Sequence, residues 1–167
     1  MEKEIKGEQK YAQTLGAAVF IVDNENRVYT QMETESRKSS GKKAGEYSTI
    51  CETKLPGEKW HENVIRGILE ETGIDIEQLP LVLKFSGAKS WEAQFAEGVK
   101  ASITIIPCRD SERFLRLTSQ AHNHDGVIPI GFVSREDFQN LNLRQVVRDI
   151  LENSGDLIFG NEKPNIN

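Results

Sequence analysis

Residues 52–74 place a strand candidate, a turn and an amphipathic helix in direct succession, and this order constrains the fold more than any other segment. The turn is the dipeptide Pro56-Gly57, which favours a chain reversal. Helical spacing begins at Lys59, and Gly73 stands where the C-cap of a helix belongs. The apolar side of this helix has i, i+1, i+4 and i+8 spacing and consists of Val64, Ile65, Ile68 and Thr72. The segment therefore predicts a strand–turn–helix unit.

The same helix carries charged residues at fixed spacing. Arg66 follows Glu58 by eight residues, and the adjacent pair Glu70 and Glu71 completes the set. At about 100° per residue this pair lies opposite the apolar side, so we expect both carboxylates to project from the solvent side into a shared pocket. Adjacent carboxylates repel each other unless a cation lies between them, and their oxygens suit Mg²⁺ or Mn²⁺, which also bind diphosphate. In a simpler interpretation, Arg66 pairs with Glu62 and Glu70 on a solvated helix face.

These residues carry a resemblance to a known family. The Nudix box is a Gly, five residues, a Glu, seven residues and then Arg-Glu-apolar-x-Glu-Glu-x-Gly-apolar, and residues 52–74 resemble it. Seven of the nine fixed positions match: Glu58, Arg66, Ile68, Glu70, Glu71, Gly73 and Ile74. The two departures are Glu52, where the pattern has its first Gly, and Gly67, where it has the Glu after the Arg.

The resemblance implies a fold, an activity and a set of functional residues. The fold is an α/β (α+β) Nudix-like α/β/α sandwich with a central mixed β-sheet. The activity is metal-dependent hydrolysis of a nucleoside diphosphate linked to another moiety, with Mg²⁺ or Mn²⁺ as the cofactor. In that family, residues matching Glu58 and Arg66 support the loop and orient the carboxylates. Glu70 and Glu71 are then the expected catalytic and metal-binding residues.

Gly67 stands inside the predicted helix, where glycine costs about 0.5–1 kcal/mol relative to alanine. Such a cost indicates a reason, either in packing or in room for a ligand. In the resembled enzymes the Glu at this position binds metal or assists the attacking water. Two explanations stay open: another carboxylate replaces it, or the domain has lost hydrolysis and kept binding. The first candidate for a replacement metal ligand is Glu52, and the others are Glu62, Glu92, Glu97 and Asp125.

Outside this unit, strand and helix signals are mixed without a regular βαβ repeat. Strands are predicted at 15–22, 27–35, 48–55, 81–87, 91–98, 101–108 and 127–134, the first two as a hairpin. Two further helices are predicted at 134–141, with Ser134 as the N-cap, and at 142–152. Residues 1–167 are predicted to form a single domain with loose termini at 1–10 and 153–167. A mixed-sheet sandwich accommodates these elements best.

A loop rich in Ser, Gly and Lys precedes the box at residues 36–48. Its basic side chains are Arg37, Lys38, Lys42 and Lys43. We predict that Arg37, Lys42 and Lys43 bind the phosphates of the substrate, because charge-assisted hydrogen bonds to phosphate are strong. The alternative is a solvated loop with no role in binding.

Charge and composition restrict the partners. With a net charge of −5 the chain has no bulk attraction for nucleic acid, so a phosphate ligand needs a local basic patch or a metal ion. The sequence has no run of 18 apolar residues, which predicts no membrane span. Cys51 and Cys108 match no disulfide framework and indicate reduced thiols in a cytoplasmic protein. Edge strands leave a homodimer open.

Two other functions fit parts of the same sequence. The departures at Glu52 and Gly67 favour a non-catalytic ligand-binding or interaction domain of the same fold. Cys51, seven residues ahead of Glu58, is similar in position to a cysteine of the isopentenyl-diphosphate isomerases, a branch of that fold. Thr53 stands where those isomerases have a metal-binding His, which ranks an isomerase last among the three functions.

Overall fold

The computed structural model describes residues 16–38, 41–96, 99–121 and 126–160, and one mixed β-sheet runs through them. Its strands are β1 (Gly16–Val22), β2 (Val28–Glu33), β3 (Tyr47–Ser48), β4 (Ile50–Thr53), β5 (Lys89–Ala96), β6 (Val99–Pro107) and β7 (Val127–Val133). The helices within the same residues are α1 (Trp60–Thr72), α2 (Leu79–Val82), α3 (Ser111–Gln120), α4 (Arg135–Asn140) and α5 (Gln145–Phe159). None of these helices is both long enough and apolar enough to cross a membrane.

Strand β1 lies in the middle of the sheet and has three neighbours. It runs parallel to β6, from Ala17 opposite Ser102 to Val22 opposite Pro107. Its first half pairs antiparallel with β4, and its last residue begins the predicted antiparallel hairpin with β2. The sheet is therefore mixed, and β4 lies beside its centre.

The end of β4 is fixed between β1 and α1. A Cβ at Gly16 on β1 would lie 2.0 Å from the carbonyl oxygen of Glu52, so only glycine permits this approach. On the other side, the Nδ2 of Asn63 donates to the carbonyl oxygens of Glu52 and Thr53, each at 3.2 Å. Both contacts hold the backbone of Glu52 in one position.

Helices cover both faces of the sheet. α1, α2 and α3 bury one apolar cluster, which contains Ile68 and Phe114. α4 and α5 bury a second cluster around Phe20, Phe138 and Phe159. Each of these fully buried side chains stabilises the fold by about 1.5–3 kcal/mol. The predicted α/β/α sandwich with a central mixed sheet is confirmed.

Two predicted helix boundaries are also confirmed. Gly73 ends α1 in the left-handed conformation (φ 67°), and its N–H donates to the carbonyl of Leu69 at 3.0 Å. Ser134 begins α4, since its Oγ accepts the N–H of Asp137 at 3.2 Å. Both signals lie within one helical turn, so the local sequence is sufficient to specify them.

Two segments between the box and β7 differ from the prediction. The strand predicted at 81–87 is wrong, because Pro80 stands in the first turn of α2 and a 3-10 turn follows at Phe85–Gly87. Helix α3 has no counterpart in the prediction, although Asp110 at its N-cap accepts the N–H of Arg113 at 3.0 Å. The acceptor side chain of Asp110 is the local signal that identifies this helix.

The C-terminal part of the chain also differs from the prediction. A loose terminus from Asn153 is wrong for residues 153–159, because α5 continues to Phe159. Ile158 and Phe159 keep helical spacing with Ile150 and are buried in the second apolar cluster. Residues 1–10 and 161–167, also predicted to be loose, lie outside the described residues.

Candidate active site

Helix α1 buries a wider face than its apolar residues indicate. The buried residues of the helix are Asn63, Val64, Gly67, Ile68, Glu71 and Thr72. The prediction that Glu70 and Glu71 both project from the solvent side is wrong for Glu71, which is 4% exposed. The side chain of Glu70 is 43% exposed. Glu71 is buried because Asn63, Gly67 and Glu71, at i+4 spacing, all rest against β4.

Arg66 fastens the loop before α1 to the helix. Its Nε and Nη2 donate to the two carboxylate oxygens of Glu58 at 2.8 and 3.0 Å. Glu58 also accepts the N–H of Leu55 at 3.0 Å, which closes the turn at Pro56-Gly57. The guanidinium of Arg66 is the main reason why the pKa of Glu58 falls to about 2, and the same contact raises the pKa of Arg66.

The third nitrogen of Arg66, Nη1, contacts two further carboxylates. It lies 3.0 Å from Glu52 Oε1 and 3.3 Å from Glu70 Oε2. Glu52 reaches this point because Gly67 has no side chain, and a Cβ there would lie 2.8 Å from Glu52 Cβ. Burial and then the neighbouring Glu70 raise the pKa of Glu52 to about 7, while Arg66 opposes the rise.

Glu71 is held between the helix and the sheet. Its Oε2 accepts the backbone N–H of Cys51 at 3.0 Å, and the side chain of Gln31 on β2 also hydrogen-bonds to it. Burial raises the pKa of Glu71 well above its ordinary range, and the carboxylates of Glu33 and Glu52 raise it further. A cation close to Glu71 would favour its ionised form.

Three carboxylates thus lie around the junction of β4 and α1: Glu52 is beside Glu70, and Glu71 is near enough to Glu52 for their charges to interact. Oxygen donors that repel one another fit a hard divalent cation such as Mg²⁺ or Mn²⁺. In the described ranges, no group of three or more His, Cys, Asp or Glu side chains is arranged to hold a metal ion. In phosphate sites, however, Mg²⁺ keeps several waters and takes only one or two carboxylates besides substrate oxygens. The donor set therefore fits an ion that the substrate helps to bind.

The backbone is similar to solved structures, whereas no family model and no curated protein sequence matches the chain. A MutT structure from a study of Aliivibrio salmonicida and Vibrio cholerae is 12% identical with a TM-score of 0.55, and the match covers 82% of this chain and 92% of that one. The chain has a Nudix fold. The Nudix hydrolase RenU of M. smegmatis, 12% identical, has a TM-score of 0.49 over 86% of this chain and 83% of its own. At such identities the likeness establishes the fold alone.

In this Nudix fold the loop between β2 and β3 carries the cations that were predicted to bind phosphate. Arg37 and Lys43 are exposed on it. Lys42 instead points inward, and its Nζ lies 3.0 Å from Oε2 of the fully buried Glu33. Nη1 of Arg144 lies 3.5 Å from the other carboxylate oxygen of Glu33, so Lys42 and Arg144 together neutralise its charge. The prediction that Lys42 binds phosphate therefore does not agree with the structure.

Gln31 and Glu33 belong to the surroundings of the site and are absent from the sequence-based prediction. Both lie on the same face of β2 as Tyr29, and all three are 0% exposed. The sequence signal for them is the alternation along β2: Gln31 and Glu33 stand two and four residues after the buried Tyr29, so their side chains share its face of the strand.

Cys51 lies beside the site but lacks the properties of a nucleophile. Burial raises the pKa of its thiol to about 12, so the thiol stays protonated at neutral pH. The side chain packs against the second apolar cluster, and it is the backbone N–H that contacts Glu71. The isomerase alternative needs a reactive Cys51 and has no support from this environment.

The other carboxylates considered as replacements lie elsewhere. Glu62 accepts the N–H of Lys59 at 3.2 Å and caps the start of α1. Glu92 on β5 borders a groove of about 550 Å³ along the opposite flank of α1. Glu97 and Asp125 lie outside the described residues. Among the described candidates, Glu52 is the one that meets Arg66 and Glu70.

The raised pKa of Glu52 predicts how stability depends on pH when no metal is bound. The folded protein holds this proton more tightly than the unfolded chain, so the stabilisation is complete below the ordinary pKa of 4.5 and is lost as the pH rises through about 7. Glu58 is shifted oppositely, and its stabilisation is lost only as the pH falls from 4.5 toward about 2.

In a chelating buffer we therefore expect the Tm to fall between about pH 5 and about pH 8, and the Glu52→Gln variant to show a smaller fall. Thermal unfolding followed by circular dichroism at several pH values measures the difference. An equal fall in both proteins would show that Glu52 does not titrate in this range.

Proposed function

We propose that this chain is a metal-dependent hydrolase of a nucleoside diphosphate linked to another moiety, with Mg²⁺ or Mn²⁺ as its cofactor. The observation that carries the proposal is the position of Glu52 beside Glu70 at the junction of β4 and α1, with the carboxylate of Glu71 in electrostatic contact with Glu52. Arg66 lies between Glu52 and Glu70. Burial and the neighbouring carboxylates still raise the pKa of Glu52 and of Glu71, and a cation at this junction would favour the ionised form of both. The Nudix fold alone does not carry this conclusion.

Glu70, Glu71 and Glu52 would hold the ion together with oxygens of the substrate, because the three side chains are not arranged to hold a metal without further ligands. When bound, such an ion would supply positive charge to offset that of a diphosphate and would help to activate the attacking water. Glu70 offers its carboxylate to the solvent side, where substrate arrives, because its side chain is 43% exposed. Glu71 contributes from beneath the helix and is kept in one orientation by the N–H of Cys51.

Arg66 and Glu58 act on the geometry of these carboxylates. Arg66 spans three carboxylates, since Nη1 contacts Glu52 and Glu70 while Nε and Nη2 bind Glu58, and Nη2 also donates to the carbonyl of Thr53. A planar guanidinium with fixed donor directions sets the spacing of carboxylates in a way that a lysine cannot. Arg37 and Lys43 on the exposed loop are proposed as the phosphate-binding cations.

The proposal is tested by turnover on a substrate panel. Nucleoside diphosphate sugars, dinucleoside polyphosphates and nucleoside triphosphates are incubated with Mg²⁺ or Mn²⁺, and the phosphate-containing products are separated by chromatography. We expect at least one substrate to be cleaved, chelator to stop the reaction, and Glu70→Gln to lower the rate at least about tenfold.

Glu77→Gln provides the matched control, because the same chemical change is made at an exposed carboxylate just after α1. Its rate should equal that of the unmodified protein. Stabilisation by a nucleotide without turnover of any substrate would instead establish a binding domain and overturn the hydrolase.

A further inference from the structure

The side chain of Glu52 crosses α1 at Gly67. An ideal Cβ on Gly67 would lie 2.8 Å from Glu52 Cβ, 3.5 Å from Glu52 Cγ and 3.5 Å from Ile50 Cγ2. The first distance is shorter than real Cβ contacts, and Glu52 Cβ is anchored to the strand backbone and cannot rotate away. Glycine at 67 is therefore the condition under which Glu52 occupies this space.

The far end of Glu52 is held as firmly as its base. Oε1 lies 3.0 Å from Nη1 of Arg66, and the same nitrogen lies 3.3 Å from Glu70 Oε2. The base is held by Asn63, which binds the Glu52 carbonyl, and by Gly16, which admits it against β1. A carboxylate from the strand is thus brought beside a carboxylate from the helix.

This contact combines two features that disfavour folding. Glycine in a helix interior costs about 1 kcal/mol relative to alanine. Glu52, whose side chain is 16% exposed, also loses much of its hydration near two other carboxylates. Local rules are broken in this way mainly at functional sites. Packing alone would be served better by alanine at 67 and a small residue at 52.

We propose that Glu52 and Gly67 form one exchanged pair, in which strand β4 supplies the third carboxylate of the site and Gly67 is the positioning residue that makes room for it. The Cβ direction of residue 67 leads into the volume that Glu52 fills, so a glutamate at 67 would enter the same space if residue 52 were glycine. This inference rests on the proposed function and specifies which element of the fold delivers the carboxylate.

The experiment compares the unmodified chain with Glu52→Gly, with Gly67→Glu and with the protein carrying both changes. Two quantities are measured without reference to turnover, namely the Tm in chelator and the affinity for Mn²⁺ from the electron paramagnetic resonance signal of the free ion. Turnover on the panel is measured separately.

Gly67→Glu should lower the Tm by about 4 °C or more, because its side chain collides with Glu52. Glu52→Gly should weaken Mn²⁺ binding at least about tenfold. The double variant should recover the Tm lost in Gly67→Glu and bind Mn²⁺ within about threefold of the unmodified chain. Glu52→Gln should keep the fold and lose Mn²⁺ affinity, which separates the charge of Glu52 from its packing.

Gly155→Ala is the matched control for helix propensity. Gly155 also lies inside a helix, but a Cβ there meets only the guanidinium of Arg135, at 3.2 Å. This guanidinium is the far end of a partly exposed side chain that pairs with exposed Asp156, so it needs to shift only by a few tenths of an ångström. Gly67→Ala should therefore lower the Tm, whereas Gly155→Ala should leave it unchanged or raise it.

The exchanged pair would be overturned if the effects of the two changes on the Tm and on Mn²⁺ affinity simply added in the double variant. It would also be overturned if Glu52→Gln left the Mn²⁺ affinity unchanged. Its failure is distinguishable from failure of the proposed function. Rescue of Mn²⁺ binding in a protein that hydrolyses nothing would refute the hydrolase and retain the pair. Hydrolysis that does not depend on Glu52 would refute the pair and retain the hydrolase.

Discussion

The Arg66→Ala variant is expected to lose about 2–3 kcal/mol of unfolding free energy and most of its activity. Arg66 is 23% exposed and provides the paired cation for three carboxylates, Glu52, Glu58 and Glu70. Removing it leaves their charges uncompensated and opens the turn that Glu58 closes. For a chain of this size the loss corresponds to a Tm lower by about 5–10 °C.

Urea unfolding in chelator measures this loss, with Arg116→Ala as the control because Arg116 is exposed on α3. Arg66→Lys should recover only part of the stability, since an ammonium does not reproduce the forked contact with Glu58. If Arg66→Ala and Arg116→Ala unfolded at the same urea concentration, the ion pairs of Arg66 would not contribute to the stability of the fold.

The Glu71→Gln variant is expected to lose about 10²-fold or more in kcat while becoming more stable without metal. The pKa of Glu71 is raised by burial and by Glu33 and Glu52, so the ionised side chain destabilises the empty fold at neutral and higher pH. Glutamine has the same shape, stays neutral and still accepts the N–H of Cys51 through its carbonyl oxygen. The negative charge of Glu71 is therefore expected to favour the reaction and to destabilise the metal-free fold.

Steady-state kinetics at saturating Mg²⁺ and thermal unfolding in chelator, both at about pH 8, provide the two measurements. The control is again Glu77→Gln, which should change neither. A parallel loss of activity and stability would indicate that Glu71 is a structural residue, and undiminished activity would remove it from the site.

The parts of the site that the sequence predicts correctly are encoded over short distances. The turn at Pro56-Gly57, the cap at Gly73 and the eight-residue separation of Glu58 and Arg66 all lie within the box. Each depends on the geometry of one turn or one helix, and so the pattern contains the information.

The parts that it does not predict depend on distant segments. Glu71 is buried against β2 and β4, where the side chain of Gln31 and the backbone N–H of Cys51 donate to it. These two residues lie 40 and 20 positions earlier in the chain. Lys42 is held away from the solvent by its ion pair with Glu33. Glu33 is the last residue of β2, the strand that precedes the loop of Lys42. Helical periodicity gives the angle of Glu71 around α1 but contains no information about which strand lies beneath it.

The roles of Glu52 and Gly67 lie between these cases. The sequence shows that both depart from the pattern, and it offers Glu52 as one candidate among several. The pairing of β4 with β1, and the 2.8 Å that would separate a Cβ on residue 67 from Glu52 Cβ, favour one explanation. Two departures that look independent along the chain become a single contact in the fold.

The central claim is that the carboxylates at the β4–α1 junction hold a divalent ion together with a diphosphate. It is tested most directly by a crystal structure with Mn²⁺ and a non-hydrolysable nucleoside diphosphate analogue, with anomalous diffraction recorded on both sides of the Mn absorption edge. We predict an anomalous peak bonded to oxygens of Glu70 and Glu71, with Glu52 in contact and with diphosphate oxygens completing its coordination. A bound analogue with no peak at this junction, or a peak held by other residues, would contradict the claim.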